Sequence, residues 1–84
     1  MKPRRLLQRA IARPGILRFD EVVKLAEALG FELSRTSGSH HIFTHPAIPE
    51  LVNLQEVGGM AKAYQVRQLL KLVERYNLTL GDEA

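Results

Sequence analysis

The sequence contains no cysteine and no tryptophan, and only 6% of its residues are aromatic. Without cysteine there are no disulfide staples and no thiolate zinc sites, which suits a reducing cytoplasm, the expected location. Long hydrophobic runs are missing too. The longest apolar stretches are a few residues, far below the roughly 20 needed to span a bilayer. The basic start has neither the apolar stretch nor the small-residue cleavage site of a secretory leader. No membrane role is therefore expected, and no repeat or low-complexity segment is visible. Acid is absent from residues 1–18, which carry Lys2, Arg4, Arg5, Arg9, Arg13 and Arg18.

What is present is ordinary: 84 residues, 45% hydrophobic and 25% charged, enough for one small folded domain with a modest core. After residue 18 acids outnumber bases nine to six. A basic arm on a mildly acidic body has two readings, an anionic partner such as nucleic acid or a solvated terminal helix.

Leu6, Leu7, Ala10 and Ile11 recur at helical spacing, so residues 4–12 read as a short basic amphipathic helix, broken by Pro14-Gly15. A second helix is expected over 20–29, with Asp20 as N-cap and Gly30 as a left-handed stop. Its buried stripe is Phe19, Val22, Val23, Ala26 and Leu29. The period then changes. Phe31 to Arg35 alternates apolar and polar, as a half-buried strand does. Thr36 to Ser39 is a turn, and His40 to Thr44 returns as a second strand. Pro46 and Pro49 bracket a loop, Leu51 to Leu54 suits a third strand, and Gly58-Gly59 closes it. A last helix over 62–77 carries Val66, Leu69, Leu70 and Val73 on one face and Arg67, Lys71 and Arg75 on the other. The order α-α-β-β-β-α implies a small single α+β domain: a three-stranded antiparallel sheet with helices packed on one face. Residues 1–18 form a basic N-terminal extension, 19–78 the domain, and 79–84 a tail expected to fray.

Three histidines fall within six residues: His40, His41 and His45. A metal site is one reading, but adjacent strand residues face opposite ways. His41 and His45 share a face with Cα atoms roughly 13 Å apart, too far for one zinc ion. No metal is expected. General acid–base catalysis is another reading. Histidine exchanges protons near neutrality, and RNA carries its own nucleophile, the 2′-hydroxyl. One positioned base with cations near the scissile phosphate would suffice for a ribonuclease. A third reading has His40 merely capping the hairpin through hydrogen bonds.

The run from Gly30-Phe31 through Arg35, Gly38-Ser39-His40 and Phe43 to His45-Pro46 resembles the signature of the HicA family of bacterial toxins. The stretch Tyr64 to Tyr76 resembles the closing helix of one subgroup, so the similarity covers residues 19–78. The resemblance implies a double-stranded-RNA-binding-like fold and metal-independent endonucleolytic cleavage of messenger RNA. It places the catalytic histidine at His40, implies no cofactor, and implies a HicB-type antitoxin that covers the active site. This chain departs from the family in the length of residues 1–18. The segment between Pro46 and Gly59 carries Glu50 and Glu56 where basic residues are often found.

Arg35 is a candidate phosphate contact or a solvated strand end. Gly38 and Ser39 shape the turn and can also offer donors to a phosphate. Arg67, Lys71 and Arg75 form a stripe for RNA or simply for water. Phe31 and Phe43 read as core, and Tyr64 as packing or base stacking. The rival to a ribonuclease is a non-catalytic RNA-binding module of the same fold; a further rival is a pure interaction protein.

Overall fold

A computed structural model describes residues 2–81. Helix α1 (Pro3–Ala12) begins with proline in its first turn, where the missing N–H costs nothing. It turns Leu6 and Ala10 inward, and both are fully buried. A single 3-10 turn (Pro14–Ile16) follows the Pro-Gly break. Helix α2 (Phe19–Ala28) is capped two residues earlier than the sequence suggested. Arg18 holds the N-cap place, and its backbone N–H donates to the Glu21 carboxylate at 2.9 Å. Asp20 therefore sits inside the first turn rather than capping it, because the acid three residues after Arg18 satisfies the free N–H. Gly30 ends the helix with φ +100, a left-handed conformation.

Four antiparallel strands follow in the order β1-β2-β3-β4: β1 (Glu32–Ser37), β2 (His40–His45), β3 (Ile48–Val57) and β4 (Met60–Ala61). The expected sheet had three. The two glycines read as a stop, Gly58 and Gly59, take φ +59 and +80. Two positive-φ residues are what a two-residue hairpin of the primed type requires, so the chain reverses into a fourth strand. Strand β3 is also longer than the expected 51–54. Pro46-Ala47 alone make the β2–β3 turn, since His45 pairs with Ile48. Pro49 is tolerated because the β2–β3 register shifts there and β4 pairs only Glu56 and Val57. The buried Gln65 side chain takes the next orphan, accepting the Gln55 backbone N–H at 2.7 Å.

Helix α3 (Ala63–Tyr76) ends at Asn77, which takes φ +51. All three helices lie on one side of the sheet. Phe43, Ile48, Val52 and Leu54 from the strands meet Leu25, Val66 and Leu69 from the helices in one core that also holds Leu6, Leu17 and Phe31. Of the tail expected to fray, Leu80 packs on this core and Gly81 donates to the Ala28 carbonyl; residues 82–84 lie outside the described residues. Among the described residues no helix is long and apolar enough to cross a membrane.

The outer edge of β4 is lined by the segment entering α2, through Ala61 N–H to Leu17 and Phe19 N–H to Gly59. Strand β1, exposed along its whole length, is the uncovered edge. Side-chain alternation then divides the sheet. Phe43, Val52 and Leu54 point to the helices, while His40, Ile42, Asn53 and Gln55 point to the uncovered face.

Candidate active site

The three histidines have three different environments, and register decides which is which. His45 ends β2. Its Nε2–H donates to the Leu29 carbonyl at 3.0 Å, and its Nδ1 accepts from Ala47 N–H at 3.0 Å. The ring also meets the edge of Phe31, with centroids 5.0 Å apart. Both nitrogens are committed, so His45 ties the end of the β2–β3 hairpin to the end of α2. That contact needs Gly30: a Cβ there would sit 2.7 Å from His45 Nε2. His41 points to the helices, where its ring lies 4.7 Å from that of Phe19 and its Nδ1–H donates to the Ser39 carbonyl at 3.1 Å.

His40 alone is on the uncovered face. It stands at the first position of β2, directly after the two-residue turn Gly38-Ser39, where Gly38 takes φ +61. Its Nδ1 lies 3.3 Å from Asn53 Oδ1 on the neighbouring strand, and Nε2 has no partner among the described residues. Ser37 and Gln55 flank it across the sheet. Gln55 Nε2 donates to Ser39 Oγ at 3.3 Å, and Glu56 N–H to the Ser39 carbonyl at 3.2 Å, which pin the turn to β3. The next rung is Arg35, Ile42 and Asn53. Arg35 is exposed and has no hydrogen-bond or ion-pair partner among the described residues. Arg35, Gly38, Ser39 and His40 are thus gathered at one end of the open face.

The other three candidates lie elsewhere. Arg67, Lys71 and Arg75 are on α3, behind the sheet from His40. Arg75 is paired with Glu50 at 3.0 Å, and the same carboxylate accepts from the Tyr76 hydroxyl at 2.7 Å. The Tyr76 hydrogen bond, aided by Arg75, holds the Glu50 carboxyl below its ordinary range, and the carboxylate in turn raises the Tyr76 hydroxyl. This cluster fastens α3 to β3. Arg67 and Lys71 instead border an open apolar furrow of about 410 Å³ between α1 and α3, floored by Leu7, Ile11, Leu70 and Val73. Tyr64 is half exposed, with the Lys62 ammonium 5.9 Å from its ring centre.

Asn53 and Gln55 were not singled out from the sequence. The alternation around Val52 and Leu54 puts both on the outer face, but only the register sets them beside His40.

The fold and site define a small α+β protein with one histidine, His40, on the open face of its sheet. Residues 19–74 match the model of the family described as the HicA toxin of bacterial toxin–antitoxin systems. The chain belongs to that family, which implies an antitoxin partner. Comparison with curated proteins and with solved structures gives no significant match for either. The matched span starts at α2, and Leu6 and Ala10 of α1, which precede it, belong to the same core.

Proposed function

We propose that this toxin is a metal-independent endoribonuclease that cuts messenger RNA in the cytoplasm, with His40 as the general acid/base. The observation that carries the reading is the contrast among the histidines. His45 has both ring nitrogens occupied. His40 and His41 each leave Nε2 without a partner among the described residues, but His41 lies on the helix side against Phe19 and only His40 presents that nitrogen on the uncovered face.

In this scheme His40 Nε2 takes the proton from a ribose 2′-hydroxyl. The 2′-oxygen bonds to the adjacent phosphorus, the bond from phosphorus to the 5′-oxygen breaks, that oxygen takes a proton from water as it leaves, and the His40 imidazolium returns its proton to solvent. Arg35, with the Gly38-Ser39 turn, stabilises the charge that gathers on the phosphate. Arg67 and Lys71, behind the sheet, serve as distal contacts for RNA long enough to pass round the domain. Arg75 contributes least, because Glu50 already neutralises it. A HicB-type antitoxin silences the enzyme by covering the open face.

The test is end-group chemistry. Purified protein and RNA in excess chelator should yield 2′,3′-cyclic phosphate and 5′-hydroxyl ends. A strict magnesium requirement with 5′-phosphate products would overturn the mechanism. Salt-sensitive binding without any cleavage would favour the non-catalytic RNA-binding module.

A further inference from the structure

We infer that Asn53 is the positioning residue of this site, holding His40 as the Nδ1–H tautomer so that Nε2 is the proton acceptor. The inference rests on the reading of His40 as the base. A neutral imidazole is a base at one nitrogen only, and which one is set by the hydrogen bond the other makes. Free imidazole side chains in water favour the Nε2–H form, which would put the lone pair on Nδ1, the atom nearer the backbone. In the structure Nδ1 meets the Asn53 side-chain oxygen at 3.3 Å. An amide oxygen has only lone pairs to offer, so this contact is a hydrogen bond only when Nδ1 carries the proton. The lone pair is then on Nε2, at the outer end of the ring.

The arrangement depends on the sheet. His40 pairs with Gln55 and Ile42 with Asn53, so His40 and Asn53 are diagonal neighbours on one face. Gln55 holds the Ser39 hydroxyl and leaves the ring of His40 to Asn53. Asn53 itself is exposed and takes no part in the core, so orienting the ring is separable from folding.

The experiment reads the tautomer directly, by long-range proton–nitrogen correlation spectra of the histidine rings in mildly alkaline buffer, together with cleavage of a short ribo-oligonucleotide. Wild-type His40 should be in the Nδ1–H form and the Asn53→Ala variant in the Nε2–H form, with an unchanged melting temperature. In Asn53→Ala, kcat should fall about 10- to 100-fold while KM stays near wild type. Asn53→Asp, whose carboxylate also accepts from Nδ1–H, should keep the tautomer and most of the activity. An Nε2–H tautomer in the wild type, or a tautomer that Asn53→Ala does not change, overturns the inference. So does wild-type kcat in Asn53→Ala when His40→Ala is inactive, which leaves the nuclease reading standing. If the tautomer responds as stated and the wild type cuts no RNA, the nuclease reading fails and the role of Asn53 in holding the ring stands.

Discussion

The two faces of the sheet treat the same residue type in opposite ways. On the helix side, His41 and His45 are drawn into structure through two ring contacts, two carbonyls and one backbone N–H. On the other side, one residue away, His40 keeps a free nitrogen facing solvent. The lesson is that in a strand a one-residue step decides whether a titratable group is a fastener or a reagent. Composition and proximity in sequence do not separate the two; the pleat does.

The contrast can be broken most forcefully at Phe43 and Ile42, neighbours on opposite faces. Phe43→Ala should cost about 3–5 kcal/mol in urea denaturation, since the ring is 1% exposed at the centre of the core. Ile42→Ala, on the outer face, should cost about 1 kcal/mol or less. Similar losses at both would mean that the open face is not open.

A smaller effect is expected where His45 meets the end of α2. Gly30→Ala puts a Cβ in a left-handed conformation against the His45 ring and should destabilise by about 1–3 kcal/mol. Because part of that cost is the contact itself, the same change in a His45→Ala background should cost less, a coupling that a double-mutant cycle measures.

Acid should expose two further fasteners. The Arg18 backbone N–H, with help from Arg9, holds the Glu21 carboxyl below its ordinary value of 4.5, and Tyr76 and Arg75 do the same for Glu50. A carboxyl depressed in the folded state contributes stability above its unfolded value and loses it as pH falls through the folded one. Melting temperature should therefore drop as pH falls below about 4.5, and Glu21→Gln should flatten that fall.

The smallest stability effects belong to the exposed cations, where RNA is the readout. Arg35→Ala should leave stability within about 0.5 kcal/mol yet slow cleavage of short and long RNA alike. Arg67→Glu with Lys71→Glu should weaken only long RNA and flatten its salt dependence. If the α3 pair matters as much as Arg35 on a short oligonucleotide, the separation of the two faces is wrong.

Much of this was legible in the sequence because it is local. Helical spacing located all three helices within a residue or so, and the change to alternation marked β1 and β2. Pairing was not legible. Gly58-Gly59 reads equally as a stop or a hairpin, and β4 contributes only Met60 and Ala61, too short for any pattern. The two prolines suggested a loop, which moved the start of β3 from Ile48 to Leu51. With that register lost, nothing could show that Asn53 lies beside His40. Arg75 looked like part of a free stripe for the same reason: its partner, Glu50, is 25 residues away in sequence.

The most direct measurement of the central claim is RNA cleavage by purified wild-type, His40→Ala and His41→Ala proteins at matched folded concentration. The account predicts that His40→Ala is folded and inactive, with a melting temperature near wild type. His41→Ala should still cut RNA, with a lowered melting temperature from the loss of its contact with Phe19. Cleavage at the wild-type rate by folded His40→Ala protein, or a folded but inactive His41→Ala, would contradict it.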